Sequence, residues 1–155
     1  MSVEAMDNRG GTARFEIREI ADREELQLAM DLRRRVFCDE QGVPLSDEVD
    51  GRDPEGTHLI ALDNGLVVGA CRLTFAGSTA QFSRLAVDST ARRQGIATLL
   101  LEQAESAARM NRSRRIALHA QTYALSLYEN NGYRTRGRPF FDAGIEHIAM
   151  DKRLG

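Results

Sequence analysis

The chain has 155 residues, enough for one domain that buries its own core without a staple. Lys and Arg number 21 against 23 Asp and Glu, a net charge of −2 that argues against a general nucleic-acid binder, and no apolar run is long enough to span a bilayer. The two cysteines, Cys38 and Cys71, cannot frame a disulfide scaffold, and the polar start lacks the apolar stretch of a secretion signal, so a soluble cytoplasmic domain is expected.

The first thirteen residues read as a loose, flexible tail ahead of a domain over 14–155. Phe15 to Ile20 alternates as a strand, and Asp22 with Glu25 opens a helix in the manner of a capping box. Leu26, Ala29, Met30, Arg33, Val36 and Phe37 share one face of that helix, which Gly42 and Pro44 end. Pro44 to Gly56 is an acidic loop. His58–Leu62 and Leu66–Leu73 flank Asp63-Asn64-Gly65, and Asn-Gly supplies the two positive-φ positions of a tight hairpin turn. A strand from about Gln81 to Val87 follows a turn at Gly77, and a helix over about Gly95–Met110 carries apolar residues at helical spacing. Ile116–Ala120 is a strand, Tyr123–Asn130 a short helix stopped at Asn131-Gly132, and Tyr133–Arg136 and Ile145–Asp151 are the last strands. The order β-α-β-β-β-α-β-α-β-β predicts a single-domain α/β (α+β) fold, a mixed sheet flanked by helices, with antiparallel hairpins early and parallel pairs late.

The chemistry is concentrated between Leu85 and Thr98. An apolar strand passes through a polar turn into a helix whose first turn holds Gly95, Ile96 and Ala97. A helix start leaves backbone N–H groups without partners and carries partial positive charge; Gly95 and Ala97 let an anion approach, and Arg92 and Arg93 add fixed charge. A phosphate or pyrophosphate site follows. The Lys and hydroxyl of a magnesium-nucleotide loop are missing, as is G-x-G-x-x-G after the first strand, so a metal-free pyrophosphate is favoured.

Arg92-Arg93-Gln94-Gly95-Ile96-Ala97 resembles the Q/R-x-x-G-x-G/A signature of the GCN5-related N-acetyltransferases, with Ala in the last small position. Ala120 to Tyr133 resembles that family's A-x-x-x-Y-x-x-x-G-F/Y element, and Val36–Gln41 and Gly144–Met150 are similar to its ElaA/YjcF-like branch. The resemblance implies a splayed, mostly antiparallel sheet clasping acetyl-CoA as co-substrate, with no metal. Leu85, Ala86 and Val87 would offer backbone groups to the pantetheine, Gln94 and the N–H groups of roughly Arg93 to Thr98 would hold the pyrophosphate, and Gln121 and Ala124 would line the cofactor arm. Many relatives carry Asn where this chain has Gln121. Tyr128 matches the tyrosine that in many relatives protonates the departing thiolate.

The implied reaction is direct attack of a primary amine, small or peptidyl, on the thioester. An amine of pKa about 10.4 is neutral in only about one molecule in a few thousand at pH 7, so a base or an apolar entry is needed. Tyr128, with an ordinary phenolic pKa near 10, can serve as the acid without special tuning, and a backbone N–H near Val87 would stabilise the oxyanion. Because Gln81–Val87 holds no carboxylate, the base stays open among Glu40, His119 and His147. Glu40, Gln41, Arg84, His119 and His147 are the candidate acceptor-site residues.

Blander readings stand beside these. Asp47, Glu48, Asp50 and Asp53 form a solvated loop, or alternatively draw a cationic acceptor to the cleft. His119 reads as a packing residue, His58 as a hairpin residue without a site role, and Cys38 as a small buried hydrophobe. Arg109, Arg112, Arg114 and Arg115 complement the long helix's C-terminal dipole, or one of them reaches the 3′-phosphate of CoA. The rival function is a non-catalytic acyl-CoA-binding or regulatory module of the same fold. No nucleic-acid or membrane partner is expected, and an exposed edge strand can pair with a second copy as a homodimer.

Overall fold

The computed structural model describes the backbone of residues 2–6 and 12–155, and the side chains from Phe15 onward. The elements are β1 (Ser2–Met6), β2 (Thr12–Glu19), α1 (Arg23–Arg33), α2 (Leu45–Glu48), β3 (Thr57–Asp63), β4 (Leu66–Ala76), β5 (Thr79–Val87), α3 (Ile96–Met110), β6 (Arg115–Gln121), α4 (Leu125–Glu129), β7 (Arg134–Asp142) and β8 (Ile145–Arg153). They form one sheet of eight strands in the order β1-β2-β3-β4-β5-β6-β8-β7.

Two expectations change here. Ser2–Met6 is a strand paired antiparallel with β2, not a loose tail, because the outer edge of β2 offers an open ladder; Met1 and residues 7–11 lie outside the described residues. Among the described strands only β5 and β6 run parallel; the later pairs β6–β8 and β7–β8 are antiparallel. β7 also runs to Asp142 rather than stopping at Arg136. Gly137 and Pro139 hid that continuation, since they sit where the register shifts on an outer strand that tolerates both.

The sheet is buried on both faces. On β3, Leu59 and Ala61 join the core beneath α3, while Ile60 and Leu62 join the cluster beneath α1. α3 packs its Ile96, Leu100, Leu101, Ala104 and Ala108 onto the first face. α1 begins as its sequence implies: Asp22 accepts from the Glu25 N–H at 2.9 Å. The returning Glu25 carboxylate accepts from the Ala21 N–H at 2.7 Å, one residue earlier than a strict capping box. The Asn64-Gly65 turn has φ of 49° and 81°, the two left-handed positions of a type I′ hairpin.

α1 does not end at Arg33. It continues as a π-helical segment over Arg34–Glu40, where the Gln41 N–H donates back to the Val36 carbonyl, five residues earlier. The wider turns carry Glu40 and Gln41 to the point where the sheet opens.

Candidate active site

That opening is built by β5 and β6. Their parallel pairing covers Thr79–Phe82 against Arg115–Leu118 and then stops, although β5 continues to Val87 and β6 to Gln121. The cause lies in β5. Its register against β4 shifts after Ser83–Arg72, and Arg84 adopts a left-handed φ of 58°, so a β-bulge bends the strand away. Beyond the bulge Val87 lies opposite Gly69, and the next residue's N–H, of Asp88, donates to the Val68 carbonyl at 2.8 Å. In an antiparallel ladder this turns Val87's own N–H and C=O away from β4, towards the side that β6 has left. Nothing in the sequence marked the bulge, since Arg84 is a residue type that rarely adopts this conformation.

Two cavities share the splay. One of about 240 Å³ is lined by Gln81–Leu85, Leu118, His119, Tyr128 and His147 among others. A groove of about 580 Å³ is lined by Val36, Glu40, Val87 and Arg92 among others. Gln41, Leu85, Gln121, Tyr123 and Ile145 belong to both and form the wall between them. Within that wall Gln121 Nε2 donates to Gln41 Oε1 at 2.9 Å, and Gln41 Nε2 donates to the Tyr123 hydroxyl at 3.4 Å. Gln121 Oε1 is buried without a hydrogen-bond partner.

Arg92, at the groove, precedes the start of α3 by a few residues. Gly95 is the N-cap in a left-handed conformation, φ 84° and ψ 7°, and a Cβ there would meet no atom within 4 Å. The first helical bond runs from the Leu99 N–H to the Gly95 carbonyl, so the amides of Ile96, Ala97 and Thr98 precede the ladder. A left-handed residue followed by a right-handed one turns successive N–H groups to the same side, the geometry of an anion-binding nest. Gly69 fixes where this turn sits: a Cβ on it would lie 2.8 Å from Ile96 Cγ2 and 3.1 Å from Leu100 Cδ1, so only glycine lets α3 start this close to β4. The side chains of Ile96 and Ala86 are core, 1% exposed each, leaving only their backbones for a ligand.

The two arginines of the loop differ. Arg92 Nε donates to the Val87 carbonyl at 3.1 Å and its Nη2 to Glu40 at 2.7 Å, so its charge is already engaged rather than waiting for phosphate. Arg93 holds a left-handed φ of 64°, which shapes the loop by backbone strain as well as by charge.

Tyr128 reaches the cavity from the α3 side of the sheet and is 6% exposed. Its ring packs edge-on against Tyr133 with centroids 6.0 Å apart. The Tyr133 hydroxyl donates to Glu105 on α3 at 2.8 Å, and Lys152 donates to the same carboxylate at 2.9 Å. The buried Glu105–Tyr133–Lys152 group thus holds Tyr128 in place. It went unread because a lone Glu in a helix ordinarily faces water. The expectation that Tyr128 needs no tuning is corrected: burial pushes its phenol well above the ordinary value, with Cys71 and Tyr123 adding to the rise.

In the acidic loop Glu48 and Asp53 are buried, while Asp47 and Asp50 are exposed. Arg33, 1% exposed, donates to Glu48 at 2.6 Å and to Asp53 at 2.8 Å; Arg72, 3% exposed, donates to Asp53 at 2.9 Å and to both oxygens of Asp50. Arg84, expected at the acceptor site, lines the cavity but spends its guanidinium on the Glu48 carbonyl at 3.0 Å and on Asp50 at 3.3 Å. The solvated reading fails for Glu48 and Asp53, and the cation-attracting one for Glu48, Asp50 and Asp53. Three arginines neutralise them and clamp the loop, α2 included, against α1, β4 and β5. His58 Nε2 donates to the Asp53 carbonyl at 2.9 Å beside this cluster, and so is structural.

Elsewhere, Cys38 is only half-buried while Cys71 is buried, and Arg115 pairs with Asp151 at 2.8 Å rather than serving the α3 dipole. His119 is exposed rather than packed in the core; its ring meets Phe140 edge-on at 5.0 Å, and Phe140 in turn stacks on His147. Among the described residues no group of three or more His, Cys, Asp or Glu could hold a metal ion, and no helix is long and apolar enough to cross a membrane.

The parallel pair β5–β6 thus opens beside two adjoining cavities, and the start of α3 lies in the chain that follows β5. A family model described as an acetyltransferase (GNAT) domain matches residues 24–154, and the chain belongs to that family. The uncharacterized N-acetyltransferase YjcF of Bacillus subtilis is 33% identical over 130 residues, covering 83% of this chain and 93% of YjcF. Among solved structures, an acyl-CoA N-acyltransferase from Pseudomonas aeruginosa has a TM-score of 0.79 at 27% identity, covering 90% of this chain and 99% of its own. Escherichia coli ElaA has a TM-score of 0.80 at 20% identity over 89% and 99% of the two chains. A GNAT acetyltransferase from Elizabethkingia anophelis, solved with acetyl-CoA bound, has a TM-score of 0.72 at 19% identity over 91% and 99%. The fold is the GNAT fold, and acetyl transfer is the general chemistry of the family.

Proposed function

We propose that the protein is an acetyl-CoA-dependent N-acetyltransferase that moves the acetyl group to a primary amine by direct attack on the thioester. The observation that carries this is the splay itself: Val87's outward backbone and, on the opposite face, Tyr128 line the two cavities beside it, with the Gln121 amide in the wall between them.

The residues present fit the co-substrate. The amides of Gly95 to Thr98 with Arg93 hold the diphosphate, Leu85 to Val87 and Gln121 hold the pantetheine, and Ala124 leaves room beside it. The acyl donor supplies an electrophilic carbonyl and a thiolate leaving group. Val87 N–H offers an oxyanion donor, a contact worth about 3 kcal/mol when aligned. Tyr128 returns a proton to the thiolate. No metal takes part in this reading.

The test is incubation with acetyl-CoA and a panel of primary amines, following free thiol and the acetylated product by mass spectrometry. Thiol released in step with a product heavier by one acetyl group supports the enzyme. Binding of CoA without transfer to any amine assigns the chain to the non-catalytic module instead.

A further inference from the structure

We infer that His147 is the general base that takes the acceptor's proton, with its free Nε2 presented to the cavity opposite Tyr128. This rests on the N-acetyltransferase reading and names the one group that reading lacks. His147 Nδ1 lies 2.7 Å from the Ile145 carbonyl, and a carbonyl can only accept, so Nδ1 carries the hydrogen. In the neutral ring Nε2 therefore holds the lone pair. The ring plane is fixed by stacking on Phe140, with centroids 5.9 Å apart and planes 20° from parallel.

Position agrees with tautomer. His147 pairs with Gln121 across β8 and β6, and paired residues project to the same face, so the imidazole stands beside the amide that forms the wall of the splay. Tyr128 approaches from the other face and lines the same cavity. An acceptor entering there meets acid and base on opposite sides of the thioester.

The other titratable groups of that cavity are accounted for. Glu48 and Arg84 are locked in the buried ion cluster. Asp47 and Asp142 are exposed at its rim, and Tyr123 is 77% exposed and bonded to Gln41. His119 is held by its ring contact with Phe140 and by no hydrogen bond among the described residues. On its own strand the neighbouring Glu146 projects to the opposite face. Glu40 faces the groove and is bound to Arg92.

The step balances. The amine nitrogen forms a bond to the thioester carbonyl carbon, its proton passes to His147 Nε2, the carbon–sulfur bond breaks, and the thiolate receives the Tyr128 proton. Solvent then returns His147 and Tyr128 to their starting states.

The test compares wild type with His147→Asn, His147→Gln and His119→Gln. Asn can keep the bond to the Ile145 carbonyl while removing Nε2, so a merely structural role predicts rescue by Asn. We expect both His147 variants to lose about 10²-fold in kcat/KM and the acidic limb of its pH profile, with CoA affinity within twofold of wild type, while His119→Gln keeps the limb. Long-range 1H–15N NMR of the free protein should show His147 protonated at Nδ1 when neutral. Full activity with the limb intact in His147→Asn overturns the assignment, as does an Nε2-protonated neutral ring. Absence of transfer by wild type to any amine, with the Nδ1 tautomer present, overturns the enzyme reading instead.

Discussion

Arg92 donates to Glu40 at 2.7 Å, and this one ion pair joins the loop ahead of α3 to the end of the π-helical segment. Each side chain is about two-fifths exposed, so the pair is worth at most about 1 kcal/mol. A diphosphate arriving at the loop competes with Glu40 for the guanidinium. Glu40→Gln should therefore tighten CoA binding by about two- to fivefold at low salt, with the gain shrinking as salt screens both partners. Calorimetric titration at two ionic strengths checks this.

Gly69 sets the position of the turn that heads α3, the proposed diphosphate site, although it is not part of it. Gly69→Val should push Ile96 and the head of α3 outward, lowering stability by about 1–3 kcal/mol and weakening CoA binding at least tenfold. Urea melts and CoA titration on the same sample check it. A variant that melts early but binds CoA normally would show that the helix start moves as a unit with its site.

The clamp on the acidic loop is a folding device. Arg33→Ala removes the 2.6 Å partner of buried Glu48 and one of the two arginines on Asp53, with an expected loss of about 3–5 kcal/mol. Equilibrium unfolding at neutral pH measures it.

Acid should undo the same contacts. Arg18 and the Ala21 N–H hold the Glu25 carboxyl down at about 2. Arg72 holds Asp50 well below the usual carboxylate range; for Asp53, burial alone would raise the value, and Arg33 with Arg72 overcomes it. Carboxyls depressed in the fold bind fewer protons there than in the unfolded chain, so their stabilisation is complete above about pH 4.5 and lost as pH falls towards about 2. Thermal melts between pH 6 and 2.5 should show a steepening decline, blunted in Glu25→Gln, which has no carboxyl left to titrate.

Tyr128→Phe keeps the ring against Tyr133 and removes the hydroxyl proposed as the proton donor. Turnover should drop about 10²-fold with CoA affinity unchanged. Stopped-flow turnover and calorimetry, measured together, separate the two effects.

Much of the fold was legible because local signals agreed with the tertiary outcome. Asp22 with Glu25 marked α1, Asn64-Gly65 marked the hairpin, and Gly95 marked the start of α3. What stayed hidden depends on contacts distant in sequence. Arg33 sits on the apolar face of α1, but its partners lie 15 and 20 residues away. The bulge at Arg84 shows only against β4. The bond between Gln41 and Gln121 spans 80 residues. Some of the expected residues, among them Leu85, Gln121, Tyr128 and His147, line the two cavities, whereas Ala86 and Arg93 to Thr98 do not; Arg84 and Arg92 prove to be ties, while His147 gains a defined tautomer.

The central claim is that the amides heading α3 hold the diphosphate of an acyl-CoA. Calorimetric titration of CoA into wild type, Gly95→Ala and Gly95→Glu tests it directly. Ala adds only the strain of a left-handed residue, about 1 kcal/mol, whereas Glu sets a carboxylate into open space at the anion site. Saturable binding to wild type, retained by Gly95→Ala and abolished in a folded Gly95→Glu, is the predicted result. Equal affinity in all three would contradict the account.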